Sequence, residues 1–278
     1  MNVLSLFDGM SCGQIALDKL GIKVDNYFAS EIKKHAIKVT QDNYPSTIQL
    51  GSVEFVTKEM LVNYDIDLLI GGSPCQDLTI INQKQKGLKG GKSVLFYEYL
   101  RVLRSVKPKY FLLENVASMK NIDRDIITKE LGVEPIMINS NLLSAQHRMR
   151  YYWTNIPNVK QPIGQNILLK DIINYSDKRE EKMSDKKIAF IEKKKETMYI
   201  RVDGDKSLPI TARGYASWNT QFITLPNNQL RDLTLLEYKK LQTIPVDYKM
   251  DIIKRKATDL IGDGWTVDVI AHIFKNLK

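Results

Sequence analysis

VLSLFDGMSCG, residues 3–13, is the stretch that decides the fold, because it joins an apolar run to a short turn that contains two glycines. Residues 3–7 predict a buried strand, residues 8–13 a turn, and residues 14–20 a helix that stops at Gly21. A strand, a turn and a helix in this order make up the first half of a βαβ unit. In such units the backbone amides of the turn and the N-terminus of the helix receive nucleotide-like ligands.

The same alternation continues through about the first 155 residues. Further strands are predicted at 26–30, 67–70, 110–113, 135–139 and 151–154, and helices at 32–43 and 94–105. This rhythm predicts an α/β fold, a doubly wound parallel sheet covered by helices on both faces. From about 157 to 230 the rhythm fails, and helical periodicity returns at 233–242 and 266–277.

Composition indicates a folded protein of 278 residues, because its 43% hydrophobic content is ordinary for a globular core. Its two cysteines, Cys12 and Cys75, cannot make a disulfide framework, and the sequence has no Cys and His cluster with metal-ligand spacing. Residues 1–30 lack a signal-peptide pattern, and no apolar stretch reaches 18 residues. We therefore expect an intracellular, soluble protein that binds neither a membrane nor a metal.

The net charge of +9 favours an anionic partner, and two thirds of it comes from residues 154–278. Within that region KREEKMSDKKIAFIEKKKE, residues 178–196, is charge-dense. A solvated helix face is the main interpretation of this block, and a DNA contact is the minor one. Residues 211–218 mix Arg213 with glycine and aromatics in a loop-like setting that suits contact with a nucleic-acid backbone or base.

GGSPCQ, residues 71–76, places Cys75 at the end of a predicted buried strand, where α/β proteins hold their chemistry. Pro74 stiffens the turn, and the two glycines allow a ligand to approach the backbone closely. A small cysteine in the core is the alternative interpretation of this segment.

Glu31 ends the second predicted strand, where a carboxylate can accept hydrogen bonds from both hydroxyls of a ribose. The turn at residues 8–13 has neither Gly-x-Gly-x-x-Gly spacing nor a following Gly-Lys-Ser/Thr. The two features together indicate an adenosine-containing cofactor without a phosphate cradle, and S-adenosylmethionine fits that description. A solvated strand-end carboxylate remains the alternative for Glu31.

Glu114 closes the fourth predicted strand, on the same sheet edge as Cys75 if the sheet is parallel. Arg148 and Arg150 are two residues apart and would share one face of an extended segment. A capping or salt-bridged carboxylate and a surface pair of arginines are the alternatives.

The order FDG…G, SE, GSV, GGSPCQ, ENV, QHRMR and GDGWTV resembles the DNA cytosine-C5 methyltransferases. The resemblance covers residues 1–156 and 231–278, and it is similar to the eukaryotic de novo type and its bacterial and phage relatives. It implies a class I, Rossmann-like S-adenosylmethionine-dependent methyltransferase domain formed by residues 1–156 and 255–278. Residues 157–254 would form a small target-recognition domain.

The resemblance also implies roles for individual residues. Cys75 would add to C6 of a flipped cytosine, with Glu114 at N3 and N4, and with Arg148 and Arg150 near the thiol and O2. The cofactor would be bound by Phe7, Asp8, Gly9, Met10, Cys12, Glu31, Ile32, Ser52, Val53, Gly72, Pro74, Leu95, Asp263 and Trp265. The DNA would be bound by Arg213 and by a closing loop, residues 77–93, that carries Lys84, Lys86, Lys89 and Lys92.

Two departures from the family pattern concern the cofactor. Ser52 stands where the family usually has an acidic residue for the adenine amino group, and Asp263 stands where bacterial members have Asn. Trp265 matches an aromatic residue that lines the cofactor pocket in one subgroup, and a core tryptophan is its alternative interpretation.

Double-stranded DNA is the partner that the resemblance implies, in the cytoplasm of a bacterium or of a phage-infected host. The target sequence, the oligomeric state and the presence of a cognate restriction endonuclease are not readable from the sequence. Two alternative functions remain at this point. One is a DNA-binding relative without catalysis, and the other is methylation of RNA by the same chemistry. The tRNA-directed relatives carry a Cys-Phe-Thr element that this sequence lacks.

Overall fold

The structure is a computed structural model that describes residues 1–73, 94–177, 183–195, 197 and 199–277. Packing divides the chain into two compact units. The first unit contains Met1–Ile138, Met149–Gln161 and Ile270–Lys278, and the second contains Asn139–Arg148 and Pro162–Val269. The predicted catalytic domain, residues 1–156 with 255–278, and the predicted recognition domain, residues 157–254, are defined by function and not by packing, so that division stays a prediction.

The first unit is built on a seven-stranded sheet. Its strands are β1 (Asn2–Leu6), β2 (Asn26–Ser30), β3 (Ile48–Gln49), β4 (Leu68–Gly72), β5 (Tyr110–Val116), β6 (Ile136–Asn139) and β7 (Met149–Thr154), in the order β3-β2-β1-β4-β5-β7-β6. The pairs β1–β2, β1–β4, β2–β3 and β4–β5 are parallel, whereas β7 runs antiparallel to β5. This mostly parallel sheet confirms the predicted α/β fold. The order reverses between β2 and β4 on either side of β1, so the carboxyl ends of these strands meet at a topological switch point.

Four helices accompany this sheet: α1 (Cys12–Lys19), α2 (Lys34–Asn43), α3 (Val94–Val106) and α4 (Asn121–Leu131). Short 3₁₀ turns lie at Val53–Phe55 and Glu59–Leu61. The central strands read as unbroken apolar runs because they are buried: β5 is buried along its whole length, and Leu4, Leu69 and Trp153 have no exposed surface.

The second unit contains a three-stranded sheet of β8 (Arg201–Val202), β9 (Gln221–Thr224) and β10 (Leu230–Asp232), in the order β10-β9-β8. Its helices are α5 (Leu169–Ile172), α6 (Asp185–Lys194), α7 (Gly214–Ser217), α8 (Leu235–Leu241) and α9 (Lys254–Asp263), and α10 (Val267–Phe274) runs from this unit into the first. The charge-dense block is helical over the ten residues of α6, and most of its charged side chains are exposed. The predicted solvated helix is therefore present within that block.

A buried ion pair fixes the start of α8. Thr234 and Glu237 form a capping box, and both oxygens of the Glu237 carboxylate accept hydrogen bonds of 2.7 Å from the Arg231 guanidinium. Both charges are almost completely buried, so each depends on the other for compensation. None of the helices in the described ranges is long and apolar enough to cross a membrane.

Candidate functional site

The turn between β1 and α1 has an unusual backbone. Phe7, Gly9 and Ser11 adopt φ values of 57°, 60° and 63°, a left-handed conformation that is an outlier for a bulky residue such as phenylalanine. The first turn of α1 has no acidic residue, and the side chain of its N-cap, Ser11, accepts no capping hydrogen bond from a backbone amide. The amides at this helix start therefore have no side-chain cap, and the positive end of the helix favours an electron-rich ligand.

Glu31 follows β2 and is held by three backbone amides. Its Oε2 accepts a hydrogen bond from the Gly9 amide at 2.8 Å, and its Oε1 accepts from the amides of Ile32 and Lys33 at 2.7 and 2.8 Å. The carboxylate thus ties the end of β2 to the turn after β1. The structure brings three of the predicted cofactor residues, Gly9, Glu31 and Ile32, into one hydrogen-bonded group.

Asp8 lies in the same turn and accepts a hydrogen bond from the Tyr27 hydroxyl at 2.9 Å. Burial raises the pKa of Asp8 from 3.8 to about 6; nearby hydroxyls oppose this shift, and the negative charge of Glu31 adds to it. The pKa of Tyr27 is also raised well above its usual value, mainly by burial and then by Asp8. Sequence reasoning missed Tyr27, because its position in a buried strand is typical of an ordinary core residue.

The segment 52–56 begins just after β3, and an arginine that the sequence analysis missed holds it. Arg101 of α3 donates to the Val56 and Val53 carbonyls at 2.8 and 2.9 Å, and it pairs with Glu98 at 2.7 Å. Ser52 Oγ donates to the Glu54 carboxylate at 3.4 Å, so the serine that replaces the usual acidic residue contacts an acid two positions later. Nothing in the helical pattern distinguishes Arg101 from a solvated cation.

Glu114 and Arg150 form an ion pair at the end of β5. Arg150 Nε lies 2.9 Å from Glu114 Oε1, and the two side chains are 17% and 10% exposed. The parallel register of β4 and β5 aligns Glu114 with Gly72. The next residue of each strand is joined as well, because the Asn115 side chain donates to the carbonyl and the hydroxyl of Ser73 at 3.2 and 3.1 Å.

Other predicted residues of the first unit lie around these elements. Met10 and Cys12 are buried at the start of α1, Val53 is buried in the 3₁₀ turn, and Leu95 lies in the first turn of α3. The predictions for Pro74, Cys75, Lys84, Lys86, Lys89 and Lys92 fall outside the described residues. Their roles stay predictions.

Arg148 is in the second unit and is 4% exposed. Its guanidinium donates to the carbonyl of Ile210 at 2.6 Å and to those of Gly262 and Gly264 at 3.0 and 2.8 Å. It therefore joins the segment before α7 to the end of α9. Asp263 and Trp265 follow in that same stretch of chain, and Arg213, at the start of α7, is exposed. The structure gives Arg148 a packing role that the sequence did not predict.

Comparison with known proteins identifies the family. The sequence profile of C-5 cytosine-specific DNA methylases matches residues 1–146 and 137–278. The chain belongs to the C-5 cytosine-specific DNA methylase family. This membership confirms the resemblance, and methylases of this family use S-adenosylmethionine as the methyl donor.

Phage and bacterial methyltransferases are among the proteins to which this chain is similar. The chain is 25% identical over 279 residues to the orphan methyltransferase M.SPRI of Bacillus phage SPR, covering 98% of this chain and 58% of the relative. It is 25% identical over 302 residues to the type II methyltransferase M.NlaX of Neisseria lactamica, covering 99% and 96%. The chain thus spans little more than half of the phage protein and nearly all of the bacterial one.

Solved structures share the fold of this chain. A DNMT2 mutant from Spodoptera frugiperda superposes with a TM-score of 0.80 at 19% identity, covering 99% of both chains. The Entamoeba histolytica methyltransferase EhMeth superposes with a TM-score of 0.77 at 17% identity, covering 100% of this chain and 99% of the other. At these identities the likeness establishes the Rossmann-like methyltransferase fold alone.

Proposed function

We propose that this chain is a DNA (cytosine-5-)-methyltransferase that transfers the methyl group of S-adenosylmethionine to C5 of a cytosine flipped out of double-stranded DNA. Family membership and the type II relatives support DNA as the substrate. The observation that carries the proposal is the Glu114–Arg150 pair, aligned with Gly72 at the carboxyl ends of β4 and β5. Gly72 precedes Cys75 by three residues in the sequence.

The first unit fits an adenosine-containing cofactor. When bound, S-adenosylmethionine supplies an electrophilic methyl group. A carboxylate has about four positions that can accept a hydrogen bond, and three backbone amides already donate to the carboxylate of Glu31. Glu31 can therefore accept one ribose hydroxyl without giving up an amide, and a second hydroxyl requires one of these bonds to lengthen. The residues proposed to hold the cofactor are the fourteen named from the sequence.

Cys75 is the proposed nucleophile. Its thiolate adds to C6 of cytosine, and the electron pair of the C5–C6 double bond moves to C5. C5 would then take the methyl carbon as the methyl–sulfur bond breaks, with S-adenosylhomocysteine as the leaving group. Loss of the C5 proton and cleavage of the sulfur–C6 bond restore the double bond and the thiolate. Because these atoms are inaccessible in a stacked duplex, the nucleotide must leave the stack.

The ion pair is proposed to orient the base. The Glu114 carboxyl would contact N3 and N4 of the flipped cytosine, and Arg150 would stabilise charge near O2. Because Arg150 Nε already contacts Glu114 Oε1, the two groups are pre-positioned and the base need not order them.

The proposal is tested with purified protein, labelled S-adenosylmethionine and either mixed-sequence duplex DNA or RNA, followed by mapping of 5-methylcytosine at base resolution. We expect label in DNA alone, and we expect Cys75→Ala to abolish it while the affinity for the cofactor stays within about twofold. Label in RNA alone would replace the proposed substrate, and DNA binding without label would identify a catalytically silent relative.

The covalent step has its own test. DNA that contains 5-fluorocytosine at the target should remain attached to the parent enzyme, because fluorine cannot leave C5 as the proton does. The adduct should survive denaturing electrophoresis for the parent and be absent for Cys75→Ser. An adduct that persists in Cys75→Ser would show that another group is the nucleophile.

A further inference from the structure

The segment 213–219 of the second unit combines exposed residues with two aromatic residues, Tyr215 and Trp218. Arg213, Ala216, Ser217 and Asn219 are exposed, and Arg213 is the only charged residue in it. Trp218 has φ 59°. A left-handed conformation in a bulky residue persists only where its surroundings over-determine it, and such residues cluster at functional sites.

Lys187 of α6 contacts the two aromatic residues of the segment 213–219 and holds the segment in place. Its ammonium lies 5.7 Å from the ring centroid of Tyr215, 6.0 Å from that of Trp218 and 5.4 Å from that of Phe222. It also forms an ion pair of 2.5 Å with Asp232 of β10. Lys187 and Asp232 are each only 9% exposed. A cation faced by three rings and one carboxylate has its position fixed from α6, α7, β9 and β10 together.

The contacts continue outward from Lys187 in an alternation of rings and cations. The rings of Trp218 and Phe190 meet edge to face at 5.5 Å, and Lys194 lies 4.8 Å from the Phe190 centroid. On the other side Lys254 of α9 lies 5.0 Å from the Tyr215 centroid. We call these residues, from Lys194 through Lys187 to Lys254, the cation–aromatic chain. It joins α6 and α9 to the segment 213–219, and α7 also packs on α9.

We propose that Lys187 is a positioning residue that holds the segment 213–219 in the shape that contacts the sugar–phosphate backbone of DNA. The proposal rests on the proposed function and names a surface for it. Two exposed cations belong to this surface, Arg213 in the segment and Lys194 at one end of the chain, and Lys254 at the other end is half-buried. The segment itself has no carboxylate to repel a phosphate.

The test compares three variants of the full-length protein. Lys187→Met with Asp232→Leu removes both buried charges together, because Lys187→Met alone would leave a carboxylate buried without its cation. Trp218→Gly removes one ring, relieves the positive φ and leaves the ion pair intact. Lys186→Met is the matched control, since Lys186 is the exposed neighbour of Lys187 and contacts none of the three rings.

Two measurements are made on each variant. Hydrogen exchange by mass spectrometry reports whether 213–219 is ordered, and a labelled duplex reports DNA affinity. We expect the double variant and Trp218→Gly to lose protection in 213–219 and to bind DNA about tenfold more weakly. Lys186→Met should keep parental protection and bind DNA within about twofold of the parent. The affinity of each variant for S-adenosylmethionine should stay near the parental value.

The outcomes separate this inference from the proposed function. Parental protection of 213–219 in the double variant would overturn the positioning role of Lys187, whatever the result for Trp218→Gly. Lost protection with unchanged DNA affinity would overturn the assignment of this surface to DNA. If the parent binds no DNA the proposed function fails, and the exchange data still decide whether Lys187 orders the segment.

Discussion

Asp8 is buried in the turn after β1, with Glu31 nearby, and this position raises its pKa to about 6. Between pH 3.8 and 6 the folded protein therefore binds a proton at Asp8 more tightly than the unfolded chain does. The free energy of unfolding must fall as the pH rises through this window and stay constant above it, as far as Asp8 contributes. A carboxylate in such a position costs stability, which is typical of functional sites.

We expect Asp8→Asn to remove the fall in the free energy of unfolding that Asp8 causes as the pH rises. At pH 8 the variant should be more stable than the parent by up to about 3 kcal/mol, from roughly two pKa units at 1.36 kcal/mol each, and at pH 4 the gain should vanish. Urea unfolding from pH 4 to 8 measures the difference between the two proteins. A difference that does not change with pH would contradict the pKa assignment. The affinity of the variant for S-adenosylmethionine should fall.

Arg101 gives a second prediction for a single residue. Its hydrogen bonds to Val53 and Val56 hold the segment that carries Ser52. Arg101→Met should weaken cofactor binding by at least about tenfold, because the loss of even one charge-assisted hydrogen bond, about 1.5–3 kcal/mol, corresponds to tenfold or more. Arg104→Met is the matched control, because Arg104 lies on the same helix and pairs with Glu130 instead. Isothermal titration with S-adenosylmethionine measures both, and equal affinities would show that the segment does not need Arg101.

Among the elements, α9 depends on one glycine. A Cβ on Gly262 would lie 2.3 Å from the carbonyl carbon of Thr211 and 2.4 Å from the amide nitrogen of Ala212. Both are backbone atoms and cannot rotate away, and the Gly262 carbonyl also accepts from Arg148. The close approach of α9 to the segment before α7 therefore requires glycine.

Gly262→Ala should destabilise the protein by about 3 kcal/mol, because the clash must be relieved by moving one of two packed segments. Urea unfolding followed by circular dichroism gives the value, with Lys256→Ala, an exposed position on the same helix, as the control. A loss below about 0.5 kcal/mol, the range of ordinary surface substitutions, would show that the two segments separate easily.

The strands of the first unit that helices cover on both faces could be predicted from the sequence, because their burial gives them an apolar pattern. The strands at 26–30 and 110–113 were predicted within a few residues of β2 and β5, because covered parallel strands read as unbroken apolar runs. The small sheet of β8–β10 was missed, since strands of two to four residues are too short to show a period. Helix α9 was missed as well, because KRKATDLIGD reads as polar.

In the molecule as a whole, the long-range contacts were the part that the sequence could not supply. Glu31 and Glu114 were predictable because each directly follows an apolar run that reads as a strand, although β5 continues two residues beyond Glu114. Arg148 and Arg150 are two residues apart and were expected to share one face, yet packing assigns them to different units. Their partners decide which unit each arginine joins. Arg150 contacts Glu114, whereas Arg148 donates to backbone carbonyls at 210, 262 and 264, more than sixty positions later in the sequence.

The charge of the whole chain leads to the last prediction. A net charge of +9, with exposed cations on α6, α7 and α9, means that DNA binding should release counterions from the phosphates. If about five phosphates are neutralised, the logarithm of the affinity should fall with the logarithm of salt concentration with a slope of about −4.5. Fluorescence anisotropy with a mixed-sequence duplex between 50 and 200 mM salt measures it. The affinity for S-adenosylmethionine, which carries no phosphate, serves as the internal control and should change little.

A slope near zero for DNA would mean that these cations do not contact phosphates. If the Arg213 guanidinium contacts the backbone, Arg213→Ala should reduce the magnitude of the slope by about one unit, which corresponds to one lost phosphate contact.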